Sequence, residues 1–160
     1  MKNYKPFSKL DYNKHDSKAK LEAKMFWESN GYNVDLQDTD SYTYDLKIFF
    51  NNTWIKVEAE HKTPWKGKSW PVYYPTVDVP YRKHKNASEL YMLFNNNYDA
   101  FCLAKMRDVQ SSNRHEKDTI YTINELFFNV KLKHFIFFEK INNNWIKTED
   151  KMVNNRINKN

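Results

Sequence analysis

Between Tyr44 and Lys62 apolar and polar residues alternate on either side of an Asn51-Asn52 pair. Alternation of this kind sends successive side chains to opposite faces of a strand. Tyr44, Leu46, Ile48 and Phe50 fall on one face of a first strand, with Asp45 and Lys47 on the other. In a second strand Ile55, Val57, Ala59 and His61 share a face, and Lys56, Glu58, Glu60 and Lys62 share the opposite one. A two-residue turn at Asn51-Asn52 sets the register, because asparagine tolerates the positive φ that such a turn needs. Counting back from the turn pairs Phe50 with Thr53, Lys47 with Lys56 and Asp45 with Glu58. A slip of one residue would mix the two faces.

The remaining pattern predicts further elements. Asp16 or Ser17 caps a helix running to about Asn30, and Gly31 supplies its stop. On that helix Leu21, Met25 and Glu28 share one side, with Glu22, Phe26 and Ser29 beside it, so Glu22 borders the buried stripe. Tyr32, Val34 and Leu36 read as a short strand, and Gln37 to Ser41 as a polar loop. Pro64, Gly67, Pro71, Pro75 and Pro80 make residues 63–80 a long loop, which runs into the basic segment Tyr81 to Lys85. Asn86 and Glu89 form a capping-box pattern ahead of Leu90, Met92, Leu93 and Phe94, which predicts a second helix ending at Asn95-Asn96-Asn97. Ala100 to Met106 reads as a buried strand, 107–118 as a polar loop, and Ile120 to Ile123 and Phe135 to Ile141 as further strands. The last of these turns at Asn142 to Asn144 into Trp145-Ile146-Lys147. Residues 1–15 and 149–160 lack a period and read as a loose arm and tail of one domain spanning 1–160. The expected fold is mixed α/β or α+β.

Composition narrows the function classes. A chain of 160 residues can bury a core without disulfide or metal staples. The formal net charge of +6 favours polyanionic partners. The single cysteine, Cys102, excludes a disulfide framework or a multi-cysteine zinc site, and its apolar neighbours mark it as a core residue. His15, His61, His84, His115 and His134 show no paired zinc spacing. There is no glycine-rich phosphate loop and no serine in a nucleophile elbow. No apolar run reaches membrane-spanning length and no hydrophobic leader opens the chain, so the expectation is a cytoplasmic protein without a membrane partner.

The hairpin carries the candidate chemistry. Asp45 directly opposite Glu58 would put two negative charges ~5 Å apart, at a cost of roughly 3 kcal/mol for an effective dielectric near 20. Glu60, on the same face, adds to this. A hard divalent cation removes the penalty, and Mg²⁺, with Mn²⁺ as a substitute, takes one or two carboxylates plus water and phosphate oxygens. Asp45 and Glu58 are the candidate ligands, with the Ala59 carbonyl as a third oxygen and Glu22 reaching in from the helix. Such an ion supplies an attacking water at neutral pH. Glu60 or Lys62 would orient that water, and a lysine would stabilise charge developing on a phosphate. The alternative for the hairpin is a solvated strand face of exposed salt bridges. Lys66, Lys68, Arg82, Lys83 and Lys85 follow the acidic strand and suit a phosphate backbone. Trp65, Trp70, Tyr73 and Tyr74 interleave with them, to stack on bases or to pack the core.

Glu22, then Asp45, then Glu58-Ala59-Glu60-His61-Lys62, in the order helix, strand, strand, resembles the PD-(D/E)XK nuclease superfamily. The resemblance covers residues 17–106. It implies a restriction endonuclease-like fold, a central mixed sheet flanked by helices, with Mg²⁺-dependent hydrolysis of phosphodiester bonds and a homodimer. Asp45 matches the metal-binding aspartate, and Glu22 the helix glutamate of the Holliday junction resolvase-like branch. Two assignments of the second acid stay open. With Glu58 as that acid, Glu60 stands at the lysine position; with Glu60, Lys62 becomes the motif lysine. Tyr44 stands where the family name has proline. The function implied is a DNA endonuclease, structure-selective or weakly sequence-selective, acting on duplex or branched DNA. An asparagine- and lysine-rich chain fits an AT-rich genome such as a phage's. The competing readings are a nucleic-acid-binding protein that keeps the fold without catalysis, and an interaction protein whose hairpin acids are only solvated.

Overall fold

Helix α1 spans Lys9–Ser29 and stops where Gly31 takes a φ of 87°. Only glycine enters that left-handed region without a steric penalty. The last turn is closed by Gly31 N–H to the Glu28 carbonyl (3.0 Å) and Tyr32 N–H to the Trp27 carbonyl (3.1 Å). The computed structural model describes residues 9–36 and 44–148, with the backbone alone for 9–16. The helix therefore begins ahead of the predicted caps Asp16 and Ser17 and takes in residues 9–15 of the expected arm. Residues 1–8, the predicted loop from Gln37 to Ser41 and the tail 149–160 lie outside the described residues. The buried stripe of α1 is Ala19, Ala23, Phe26 and Trp27, whereas Leu21 and Met25 are half exposed. The two alanines bring the helix axis close to the sheet, and the aromatics fill the space beyond them.

Ten strands and a short helix follow: β1 (Val34–Leu36), β2 (Leu46–Phe50), β3 (Thr53–His61), β4 (Thr76–Pro80), β5 (Leu90–Phe94), β6 (Ala100–Lys105), α2 (Met106–Gln110), β7 (Asn113–Lys117), β8 (Glu125–Lys131), β9 (Ile136–Ile141) and β10 (Asn144–Lys147). They form a seven-stranded mixed sheet, β1-β2-β3-β5-β6-β9-β10, and a three-stranded sheet, β4-β8-β7. The fold is mixed α+β. The hairpin register is the one read from the sequence: Phe50 pairs with Thr53 and Lys47 with Lys56. Asn51 and Asn52 take φ values of 49° and 61°, as the two-residue turn requires. Asn142 and Asn143 repeat the device between β9 and β10, at 50° and 64°.

The two faces of the large sheet have separate cores. Leu46, Ile48, Val57, Ala59, Met92, Phe94 and Phe101 pack under α1. Tyr91, Leu93, Cys102 and Ala104 point the other way, against Val77, Val79, Phe128 and Val130 of the small sheet. Helices thus do not flank both faces as expected; the small sheet, with Met106 and Val109 of α2, covers the second. Strands β5 and β6 are buried on both sides, which explains their unbroken apolar runs.

The predicted second helix is absent. Leu90–Phe94 is the strand β5, parallel to β3. Five apolar residues in a row suit a two-sided buried strand as well as a buried helix. The residues that looked like a helix cap close the start of this strand pair instead. Glu89 N–H donates to the Lys56 carbonyl at 2.9 Å, and the Lys56 N–H donates to the Glu89 carboxylate. The predicted strand at Ile120 to Ile123 is a connection with exposed Ile120, Tyr121 and Ile123, and the strands beside it are β7 and β8. Within the presumed loop 63–80, Thr76–Pro80 pairs with β8 as β4.

Candidate functional site

Strands β3 and β5 are parallel, so the chain between them must cross over one face of the sheet. Helix α1 occupies one face, and the crossover, residues 62–89, runs over the other. It carries β4 and then a 3-10 turn, Tyr81–Lys85. This route lays the basic run over the even-numbered side chains of β3, Glu58 and Glu60.

Lys83 is the residue that lands on them. Its Nζ donates to Glu58 Oε1 and lies 2.6 Å from Glu60 Oε1. Side-chain exposures are 12% for Lys83, 9% for Glu58 and 17% for Glu60, so this is an ion cluster out of bulk water. The other oxygens are also satisfied. Asn86 Nδ2 donates to Glu58 Oε2 at 3.0 Å, and the hydroxyl of the buried Tyr91 donates to Glu60 Oε2 at 2.7 Å. Gln110 of α2 donates to the carbonyls of both Lys83 and Asn86, at 3.0 Å each, and so pins the segment that holds Glu58. The Arg82 guanidinium stands 3.7 Å from Glu60 Oε1 at the solvent edge.

The ionisation states follow from this geometry. Burial alone would push the Glu60 carboxyl up, but the Lys83 and Arg82 charges and the hydrogen bonds from Lys83 and Tyr91 outweigh it and hold it below its ordinary value. Burial would lower the Lys83 ammonium; Glu60 and Glu58 overcome that and keep it firmly protonated. Burial, then Glu60, raises the Tyr91 hydroxyl, which stays a donor.

Asp45 stands one residue ahead of β2, beyond the ladder, whose last pair is Leu46 with Val57; the expected pairing of Asp45 with Glu58 is not part of it. The Asp45 N–H donates to the Val57 carbonyl at 3.0 Å. Its carboxylate turns along β3 and accepts from the Ala59 N–H at 2.8 Å, taking the place of the strand carbonyl that β2 no longer offers. Lys20 of α1 lies 3.5 Å from the other oxygen. Asp45 and Glu58 are both buried, at 8% and 6% exposure. The two acids are compensated separately, from opposite faces of the sheet: Lys20 approaches Asp45 from α1, and Lys83 approaches Glu58 from the crossover.

The remaining sequence candidates divide. Glu22 borders the buried stripe as expected, but its ion pair is with Lys140 of β9, at 3.4 Å. It points to the flank opposite Lys20, and the α1 side chain brought to Asp45 is Lys20. Lys62 lies over the Tyr74 ring, 5.4 Å from its centroid, rather than against the acids. Burial first, and Lys117 second, lower the Lys62 ammonium. Lys68 donates to the Lys140 carbonyl at 2.7 Å. Lys66, Arg82 and Lys85 are exposed. Trp65 and Trp70 are core residues, whereas Tyr73 is exposed. His61 stacks on Tyr98 at 4.6 Å and bonds the Asn96 carbonyl at 3.1 Å. Sequence reasoning missed Lys20, Asn86, Tyr91 and Gln110. Only Tyr91 carried a signal, a tyrosine inside an apolar run, whose hydroxyl needs a buried partner.

The donor set bears on a metal ion. A magnesium ion needs only one or two protein carboxylates. Asp45 and Glu58 are both buried, and their oxygens have protein partners: the Ala59 N–H and Lys20 for Asp45, Lys83 and Asn86 for Glu58. A third acid does not join them, and among the described residues no three His, Cys, Asp or Glu side chains gather as a metal site. No helix among the described residues is long and apolar enough to cross a membrane.

No protein-family model matches the chain, and no curated protein sequence matches it either. Among solved structures, the bacterial homing endonuclease I-Ssp6803I is similar over 63% of this chain and 70% of its own, at 18% identity and a TM-score of 0.48. That likeness concerns part of the backbone course and says nothing of activity.

Proposed function

We propose that this chain is a metal-dependent DNA endonuclease. The observation that carries the reading is the burial of two acids at one end of the hairpin, Asp45 just ahead of β2 and Glu58 within β3, with Lys83 on Glu58. Charged groups are seldom taken out of water without a task or a compensating partner. Asp45 and Glu58 would hold Mg²⁺ or Mn²⁺, which when bound polarises the phosphate and makes water a competent nucleophile. Glu60, its second oxygen fixed by Tyr91, would orient the attacking water. In the hydrolysis the water oxygen forms a new bond to phosphorus and gives up its proton to solvent. The ester P–O bond breaks, and its electron pair leaves on the sugar oxygen, which takes a proton from solvent. Arg82, Lys85 and Lys66, exposed near the crossover, would contact the phosphate backbone and make affinity salt-dependent.

The test is cleavage of supercoiled plasmid and of four-way junction DNA with Mg²⁺ or Mn²⁺. Cutting is expected with wild type and is expected to disappear in Asp45→Ala. Faster cutting of the junction than of linear duplex would mark structure selectivity. A second reading, DNA binding without catalysis, is favoured by one fact: both oxygens of Glu58 already accept hydrogen bonds, from Lys83 and Asn86. Salt-sensitive DNA binding with no cleavage under either ion would establish it and remove the first.

A further inference from the structure

We propose that the open end of the β2–β3 hairpin is a stacking surface for single-stranded nucleic acid. Alternation sends Leu46, Ile48 and Val57 under α1 and turns Lys47, Phe49, Trp54 and Lys56 to the other face. The crossover turn covers that face at Glu58 and Glu60, and the small sheet packs over β5 and β6. Nearer the Asn51-Asn52 turn the face lies open: Phe49 is 38% exposed and Trp54 43%. The two rings are direct cross-strand partners, with centroids 5.2 Å apart and planes inclined by 55°. Lys47 and Lys56 are the next pair along the same face, again directly opposed. Like charges placed this way repel one another. Lys47 has Asp35 at 3.5 Å and lies 5.0 Å from the Trp54 ring centroid. Lys56 lies over the Tyr44 ring and makes no ion pair among the described residues.

The size and the charge of the patch choose its occupant. Two half-exposed rings are far less than the roughly 800 Å² that each partner buries in a stable protein complex, and lysine is depleted from the core of such interfaces. Aromatic rings set among lysines suit an unpaired strand instead. Every base has a flat face to lay on a ring, and ammonium groups follow the phosphates. A duplex keeps its bases stacked on one another and would meet only the lysines. The formal charge of +6 acts in the same direction. A base meets the part of the Trp54 ring that Lys47 leaves exposed, and the inclination of Phe49 suits it to the next base along the strand. This surface is separate from the buried acids, and binding there requires neither cleavage nor a metal ion.

The experiment uses the full chain in EDTA, so that cleavage does not enter. Trp27, Trp65 and Trp70 are buried and Trp145 is partly buried, which leaves Trp54 as the tryptophan open to a base. Titration with an oligothymidylate of about twelve nucleotides should quench tryptophan emission saturably. Fluorescence anisotropy of the labelled oligonucleotide, and of a labelled duplex of equal length, gives the two affinities. Trp54→Val keeps a strand-forming residue. It should weaken single-strand binding by about tenfold or more and leave duplex binding within about twofold. Trp54→Tyr keeps a ring and should bind the single strand within about threefold of wild type. Lys56→Met should flatten the slope of log affinity against log salt by about 0.7. Circular dichroism checks folding, and sedimentation velocity the oligomeric state. Wild-type single-strand affinity in folded Trp54→Val overturns the proposal, as does an equal loss on single strand and duplex, or an unchanged salt slope in Lys56→Met. Self-association of wild type that Trp54→Val abolishes, with nucleic-acid binding unchanged, overturns it too and makes the rings an interface between copies. If Trp54→Val does not fold, Trp54→Tyr decides: quenching lost while binding is kept supports the proposal, and quenching that persists overturns it. A wild type that cuts plasmid with Mg²⁺ yet fails this titration overturns the stacking surface and leaves the endonuclease reading standing.

Discussion

Among the described residues, two lysine–carboxylate clusters differ in depth. In one, Lys83 spans Glu58 and Glu60 beneath the crossover, with side-chain exposures of 9–17%. In the other, Asp78 of β4, 17% exposed like Glu60, takes Lys117 and His115 of β7, whose side chains are 42% and 37% exposed, so the difference lies in the cations. Both join residues far apart in sequence through a sheet. The surface group is screened by water and salt, and its loss would change little. The buried group cannot lose one partner without leaving the others charged in a poorly solvated place. The same kind of ion pair should thus be dispensable on the small sheet and costly to break on the large one.

Removing Lys83 should break the contrast most sharply. Lys83→Met leaves Glu58 and Glu60 without their shared cation and should lower unfolding stability by about 3–5 kcal/mol at neutral pH, read by urea titration. A loss no larger than that of a surface pair would place the cluster in effective contact with water. Acid sharpens the comparison next. The folded Glu60 carboxyl is held below its ordinary value of 4.5, so its contribution is complete above that pH and is lost as pH falls through the lower folded value. Thermal melts between pH 6 and 3 should therefore show a steeper decline in wild type than in Glu60→Gln; equal slopes would contradict it. The smallest effect belongs to Lys117→Met, which should cost less than about 1 kcal/mol and lose even that in 0.5 M salt.

How much of this was legible in the sequence depended on how local the cause is. The β2–β3 register was readable because the Asn51-Asn52 turn and the alternation on both sides agree, and each acts within a few residues. The Gly31 stop was readable for the same reason. Strand β5 was not, because Leu90–Phe94 satisfies a buried helix and a two-sided strand alike, and Asn86 and Glu89 offered cap chemistry that the fold spends on β3. The acids were picked out by their alternation, but their partners were not. Lys83 and Asn86 reach β3 only because β3 and β5 run parallel and the intervening chain must cross the sheet, and Tyr91 reaches it as a neighbour in β5. Lys62 looked right by spacing along one strand, and spacing along one strand cannot report what a crossover brings down from above. Glu22 failed to join Asp45 for a simpler reason: a helix rotates by 100° per residue, and Lys20 and Glu22 lie on opposite borders of the Ala19–Ala23 contact.

The crossover also orders events in time. A hairpin closed by a two-residue turn forms within about 1–10 μs, whereas pairing β3 with β5 must first close a far longer loop. Glu58 and Glu60 are therefore set side by side, hydrated, before Lys83 can dock. Their ion pair is a late contact, one that governs how long the native state lasts more than how quickly it is reached.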